Sequence, residues 1–200
     1  MNAEIYFIYD SHCPWSYAST ALLNHIHHAY KDMPIHLFHV VHYDGSDGIE
    51  VKTAKQVQAQ SSVTFSENYL RFIQDDKDGT ISANLLTWVN KREPAKSLAV
   101  LNALQKAHFQ DGNPLRQQDD FNDIIKEFKL SPPAKVFRSV LSKDAEFNLA
   151  GIAELQELMQ TQAFPALLLA KDDNLILLNH NLYLTKPETI VEAVELELKR

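Results

Sequence analysis

The sequence predicts an α/β fold made of two separated halves, a βαβ unit near the start of the chain and a ββα unit near its end. Short apolar runs rich in β-branched and aromatic residues are typical of buried strands, and the amphipathic stretches beside them are typical of helices. The middle of the 200-residue chain offers helical patterns and no convincing strand. We therefore predict an all-helical domain inserted between the two halves.

The βαβ unit is predicted to occupy residues 1–44. Residues 5–9 form the first apolar run, and residues 35–41 predict the second strand. The run between them has the spacing of an amphipathic helix, with apolar residues at Ala18, Leu22, Ile26 and Ala29. Because the crossover is long enough to hold this helix, we expect the two strands to be parallel and the connection to be right-handed.

The inserted helical domain is predicted to span residues 45–162, after a cluster of turn-forming residues at 44–48. Ser66 is a candidate N-cap for one of its helices. We expect its helices at residues 53–60, 67–73, 94–110, 121–128, 135–141 and 152–162.

The ββα unit completes the α/β domain over residues 163–200. A proline-led apolar run at 164–170 and a second run at 175–178 flank a four-residue turn, which predicts a hairpin. Pro187 then opens a helix predicted over residues 188–198.

Composition excludes several classes of protein. Hydrophobic residues make up 45% of the chain and charged residues 22%, which is ordinary for a globular protein. The net charge of −7 and the scattered basic residues argue against nucleic-acid binding, and no apolar run approaches the length of a membrane span. The first residues lack the pattern of a signal peptide, and a single cysteine cannot form an internal disulfide, so we expect a cytoplasmic protein. A homodimer is compatible with the sequence.

The single cysteine, Cys13, lies where the first strand gives way to the first helix. Pro14 suits the first turn of a helix because proline has no N–H to leave unpaired. The N–H groups and positive dipole at a helix start stabilise a thiolate, so we expect Cys13 to be reactive and its pKa to be lowered. His12 either adds positive charge beside the sulfur or is a solvent-exposed turn residue, and Trp15 either walls a ligand site or covers the end of the sheet.

This arrangement resembles the DsbA-like form of the thioredoxin fold, including its FrnE-like members, over essentially the whole chain. The resemblance is carried by Cys13-Pro14-Trp15, by the stretch from Ala107 to Gly112 followed by Asp120, and by Phe164-Pro165-Ala166. It implies that Pro165 is preceded by a cis peptide bond. It also implies that the backbone of Phe164 faces the Cys13 turn, where a thiol compound or peptide can pair with it as an extra strand.

The sequence departs from the dithiol members of that family at Ser16, which stands where their second cysteine is. Cys13 can form a mixed disulfide, but no second thiol can release the partner, so an external thiol, most simply glutathione, must do so. The Ser16 hydroxyl is expected to donate to the thiolate and lower its pKa. The site is therefore predicted to consist of Cys13 and Ser16 as catalytic residues, with His12, Pro14, Trp15, Phe164 and Pro165 binding glutathione or a disulfide substrate.

Two other functions stay open. Kappa-class glutathione transferases and 2-hydroxychromene-2-carboxylate isomerases resemble this chain and carry a serine where Cys13 stands, which implies glutathione activation rather than disulfide exchange. Under this hypothesis Phe65, Tyr69, Phe72 and Trp88 line a cleft for a small hydrophobic molecule. A non-enzymatic binding module is the remaining alternative. The nine histidines lack metal-ligand spacing, so we expect no metal.

Overall fold

The computed structural model describes residues 3–43, 45 and 50–200, so the predicted turn at 44–48 lies largely outside the described residues. Its centre is one four-stranded sheet formed by β1 (Ala3–Tyr9), β2 (Ile35–His39), β3 (Ala166–Lys171) and β4 (Asn174–Leu178). The strand order is β2-β1-β3-β4. The βαβ and ββα halves therefore meet in a single sheet, as the sequence predicts.

The register of the sheet brings the two distant halves together. β1 and β2 are parallel, with Ile5 opposite Ile35, and β3 runs antiparallel to β1, with Ala166 opposite Ile8. The start of β3 therefore lies beside the end of β1. This end of the sheet carries the Cys13 turn.

Helices cover the sheet and form the middle of the chain. The first, α1 (Pro14–Ala29), follows β1 directly, and the last, α8 (Ile190–Lys199), packs against it. Between β2 and β3 lie α2 (Glu50–Gln60), α3 (Glu67–Arg71), α4 (Thr80–Arg92), α5 (Ser97–Phe109), α6 (Asn122–Glu127) and α7 (Lys143–Met159). No strand occurs between residues 50 and 159. This observation supports the proposal of a helical domain over residues 45–162.

The larger hydrophobic core is continuous from the sheet into these middle helices. It joins Phe7 and Leu167 of the sheet to Leu22 of α1, Leu86 of α4 and Phe109 of α5, all of them fully buried. A smaller core on the other face of the sheet packs α7 through Ile152. None of the helices in the described part of the chain is both long and apolar enough to cross a membrane.

The structure differs from the predicted helices in three places. Residues 135–141 form no α-helix: only a 3-10 turn at Ala134–Phe137 is present, because the buried side chain of Asn84 donates to the carbonyls of Val136 and Val140 and holds the chain as a loop. α4 was not predicted; eight of its thirteen residues are buried, and the polar residues Ser82, Asn84 and Thr87 are among them. α7 begins at Lys143, where Ser142 caps it, rather than at residue 152.

The hairpin turn is also tighter than predicted. Lys171 pairs with Asn174, which leaves only Asp172 and Asp173 in the loop. Asp172 adopts the left-handed conformation, with φ of 51°, as a two-residue turn between twisted strands requires.

Candidate active site

Cys13 caps the N-terminus of α1, and Pro14 occupies its first turn. The turn is closed by a hydrogen bond from the Cys13 N–H to the Asp10 carbonyl, 3.2 Å, while the Tyr17 N–H donates to the Cys13 carbonyl, 3.0 Å. The strand-to-helix position that the sequence predicts for this cysteine is therefore confirmed. The thiol itself is buried, with 3% of the residue exposed.

Ser16 lies one helical turn beyond Cys13 and is fully buried. Its hydroxyl oxygen accepts a hydrogen bond from the Asp10 N–H, 3.1 Å, which ties the start of α1 to the end of β1. The Cys13 sulfur accepts hydrogen bonds from the Ser16 N–H, the Ser16 hydroxyl and the Trp15 N–H. Each of these hydrogen bonds lowers the pKa of the Cys13 thiol.

The expectation of a lowered thiol pKa is nevertheless wrong. Burial raises the pKa of Cys13 to about 11, because removing the sulfur from water penalises the thiolate more than the donors of Ser16 and Trp15 stabilise it. The carboxyl of Asp10 adds to the increase. At neutral pH the free protein therefore holds a protonated thiol.

The loop before Cys13 is fixed by a histidine from the neighbouring strand. His39, at the end of β2, accepts at Nε2 from the Ser11 N–H, 3.1 Å, and lies 2.8 Å from the Ser11 hydroxyl. Burial lowers the pKa of His39 to about 4, so its ring is neutral at pH 7. The Asp10 carboxyl accepts from the His12 N–H, 2.9 Å.

His12 is fully buried, so the alternative of a solvent-exposed turn residue is wrong. Its ring contacts that of His108 from α5 edge to face, with 4.7 Å between centroids. Trp15 is partly buried and packs against the larger core.

Pro165 is buried and stands directly before β3, and the Phe164–Pro165 peptide bond is cis. Since Ala166 is opposite Ile8, the register places Phe164 and Pro165 alongside the end of β1. These residues therefore lie at the end of the sheet where Cys13 lies.

The inserted helices contribute polar side chains that the sequence analysis missed. Glu50 of α2 is 3% exposed and pairs with Lys77, 3.2 Å between Oε2 and Nζ. Burial raises the pKa of Tyr69 and of Tyr43, and negative charge on Glu50 and on Cys13 adds to both increases. Glu50 and Tyr69 are buried, whereas Tyr43 is partly buried.

Some of these residues carried a signal in the sequence. Lys77 is the one basic residue in the acidic loop 75–79, and His108 lies in the stretch that resembles the family. Tyr69 was predicted only as an aromatic residue lining a cleft. Tyr43 and Glu50 carried no signal, because their contacts join distant segments.

The four aromatic residues proposed to line a cleft are not gathered around one. Phe65 and Tyr69 are buried and pack together with Phe109, while Phe72 is exposed and Trp88 packs on the core. Two cavities, of about 570 and 450 Å³, lie at the start of α7 and along β2, and neither is bordered by Cys13. No group of three or more metal-ligating side chains occurs within residues 3–43, 45 and 50–200.

The fold is that of the DsbA-like thioredoxin-fold proteins. No protein-family model matches the chain, and no curated protein matches it. Among solved structures, the chain is similar to the cytosolic disulfide reductase DsbM from Pseudomonas aeruginosa, with a TM-score of 0.85, 18% identity and 98% of each chain covered.

Two further structures are similar. DsbM from Pseudomonas aeruginosa with GSH matches with a TM-score of 0.83 and 16% identity, over 98% of this chain and 100% of that one. The DsbA disulfide interchange protein from Klebsiella pneumoniae matches with a TM-score of 0.55 and 14% identity, over 98% of this chain and 88% of that one.

Proposed function

We propose that this protein is a cytoplasmic thiol-disulfide oxidoreductase that works as a monothiol through Cys13, with glutathione as the resolving thiol. The observation that carries the proposal is the pairing of Cys13, at the N-terminus of α1, with Ser16. Ser16 is buried and stands where dithiol proteins of this fold have their second cysteine. Similarity to a cytosolic disulfide reductase, and to that protein with GSH, supports it.

The proposed reaction has two exchanges. Cys13 loses its proton and attacks one sulfur of a small disulfide or of a protein disulfide. The mixed disulfide forms, and the other half leaves as a thiol that takes up a proton. A glutathione thiolate then attacks the substrate sulfur of the mixed disulfide. Cys13 leaves and is protonated again, and the substrate departs as a disulfide with glutathione, which a second glutathione reduces.

The raised pKa of Cys13 favours the reducing direction. A strong oxidant of this class is one whose reduced form is stabilised as a thiolate. Burial disfavours the Cys13 thiolate, so the reduced protein gains no such stabilisation and is expected to give electrons to a disulfide rather than take them.

The remaining site residues have assigned roles in the proposal. Ser16 and the N–H groups of the first turn stabilise the sulfur when it carries charge. His12, Pro14 and Trp15 shape the turn, and the Phe164 backbone before Pro165 pairs with glutathione or with an extended substrate.

The test is glutathione-dependent reduction of 2-hydroxyethyl disulfide, together with the intact mass of the protein after exposure to oxidised glutathione. Wild type is expected to accelerate the reduction and to gain the mass of one glutathione, whereas Cys13→Ser does neither. A wild-type protein that forms no adduct and does not exceed the uncatalysed rate would contradict the proposal.

The raised thiol pKa also favours a second candidate, the glutathione-dependent transferase or isomerase. A protonated Cys13 can donate a hydrogen bond to a bound glutathione thiolate, as a hydroxyl at that position would. Conjugation of an aromatic electrophile that survives Cys13→Ser would favour this candidate over disulfide exchange.

A further inference from the structure

The two edges of the sheet differ in how their own chain covers them. In the order β2-β1-β3-β4 the outer strands are β2 and β4. The edge of β2 is partly closed, because the Asn90 side chain of α4 donates to the Leu37 carbonyl, 2.8 Å. At β4, no backbone–backbone hydrogen bond from a described residue outside the sheet reaches Leu175 or Leu177. The edge of β4 is therefore open.

The hairpin determines which backbone groups face that open edge. Lys171 and Asn174 flank a two-residue turn, so they form a hydrogen-bonded pair, and such pairs alternate with non-bonded ones along an antiparallel ladder. Ile176 therefore also bonds to β3, whereas the N–H and C=O groups of Leu175 and Leu177 point outward. The free side of β4 thus offers two donors and two acceptors.

β4 lacks the features that keep natural edge strands from pairing. Edges are commonly protected by charged residues, by proline or by a β-bulge. Residues 174–178 contain neither a charged residue nor a proline, and their register with β3 is continuous, which excludes a bulge. Leu175 is 37% exposed and Leu177 is 51% exposed, so the strand also presents apolar side chains to solvent.

The apolar surface continues from β4 onto α8. Ile176 packs against the larger core, to which α8 contributes Ile190 and Val194. A cavity of about 280 Å³ between the two elements is bordered by Ile176 and Leu177 on the strand and by Leu196 on the helix. Leu196 is 62% exposed. A single added strand would leave Leu196 in water, so the surface fits a partner that brings both a strand and a helix.

We propose that this surface joins two copies of the chain, with β4 of one copy paired antiparallel to β4 of the other about a two-fold axis at Ile176. In this register Leu175 of each copy lies opposite Leu177 of the other. Two donors from each copy then meet two acceptors of the other, and no outward-facing group of these leucines is left unpaired. The contact is isologous, since both copies contribute the same residues.

The two-fold axis also accounts for the helix. An axis perpendicular to the joined sheet keeps both copies of α8 on the same face, the face of Ile176. Each copy therefore brings its exposed Leu196 to the same side of the interface. A second copy thus supplies the strand and the helix that the surface requires.

The same register keeps like charges apart. The chain carries a net charge of −7, and the acids nearest to β4 in sequence are Asp172 and Asp173 in the hairpin turn. Antiparallel pairing about Ile176 puts the two turns at opposite ends of the joined strands, about 20 Å apart at about 3.4 Å per residue. This separation exceeds the Debye length of about 8 Å at physiological ionic strength, so the repulsion between the turns is largely screened.

Sedimentation velocity under reducing conditions, at protein concentrations from about 1 to 100 µM, tests the proposal. Wild type is expected to form a species of twice the 22.8 kDa of one chain as the concentration rises. Cys13→Ser is expected to behave in the same way, because the interface contains no cysteine. A wild type that stays monomeric, or a dimer that disappears on reduction or in Cys13→Ser, would overturn the proposal.

Two substitutions of Leu177 test the strand pairing. Leu177→Pro removes an N–H that faces the free edge and leaves the bonds to β3 in place, so the dimer Kd is expected to rise at least about a hundredfold. Leu177→Asp places a short charged side chain in the apolar surface of both copies, and we expect a rise of at least about tenfold. Leu70→Asp is the matched control, because Leu70 of α3 is similarly exposed, at 41%, and lies outside this surface.

Hydrogen exchange locates the interface in wild type without any substitution. The amides of Leu175 and Leu177 face solvent in a single copy and are bonded in the pair, so a peptide covering residues 174–178 should exchange more slowly as the dimer forms. Protection that arises only elsewhere, a dimer that both Leu177 variants retain, or an equal loss in Leu70→Asp would overturn the proposal. These outcomes are independent of the proposed disulfide exchange at Cys13.

Discussion

The Cys13 sulfur is subject to two opposed influences at the scale of single residues. The Ser16 hydroxyl and the N–H groups at the start of α1 stabilise a thiolate, whereas burial destabilises it and is the larger effect. Iodoacetamide alkylation should therefore be slow at pH 7 and should rise with a midpoint near pH 11. A midpoint at or below the ordinary thiol value of about 8.5 would contradict this.

Removing the Ser16 hydroxyl tests its part in that balance. Ser16→Ala is expected to move the alkylation midpoint to still higher pH, because one donor to the thiolate is lost. Ser19→Ala is the matched control, since the Ser19 hydroxyl donates to the Trp15 carbonyl instead. Equal midpoints in the two variants would exclude a role for Ser16.

Replacing Ser16 by cysteine should restore the missing half of a dithiol reaction. In Ser16→Cys, the second thiol can attack the mixed disulfide at Cys13 and release the partner without glutathione. Single-turnover release of the partner, followed without added thiol, is expected only in this variant. Release by wild type under the same conditions would show that no external thiol is needed.

At the scale of elements, the buried pair of Lys77 and Glu50 fixes α2 to the loop after α3. Lys77→Met leaves Glu50 buried without its counter-charge, so we expect a loss of about 3–5 kcal/mol in the free energy of unfolding. Lys91→Met breaks an exposed pair with Asp144, and we expect a loss of about 0–1 kcal/mol. Urea denaturation of the two variants measures the difference, and similar losses would mean that the buried pair contributes little.

For the molecule as a whole, buried neutral histidines should make stability depend on pH. Burial lowers the pKa of His39 to about 4 and that of His108 well below its usual value, so between pH 6.5 and 4 the unfolded chain binds more protons than the folded one. Stability is therefore full above pH 6.5 and is lost as pH falls. His39 alone accounts for about 3 kcal/mol of this loss.

Denaturation at pH 7.5, 6.5, 5.5 and 4.5 checks this dependence. His39→Gln should flatten the decline, because the amide oxygen can accept the Ser11 N–H and cannot be protonated in this range. His28→Gln, at an exposed position, should leave the decline as in wild type. A decline that is the same in all three proteins would place its origin in other groups.

The sequence by itself determined the order of the main elements and the place of Cys13. Apolar runs and the proline at the head of α1 are local signals, and local backbone preference decides where a strand ends and a helix begins. The same local rules missed α4, whose polar residues Ser82, Asn84 and Thr87 are buried, and predicted a helix at 135–141 that Asn84 prevents from a distance.

Only the tertiary structure decided the chemical environment of the thiol. A pKa depends on how much water the fold removes from a group, and here burial raises the pKa of Cys13 more than the local donors of Ser16 and Trp15 lower it. No local sequence pattern records how deeply the sulfur is buried. The sequence therefore identifies the cysteine, while its burial in the folded protein determines the protonation of its thiol.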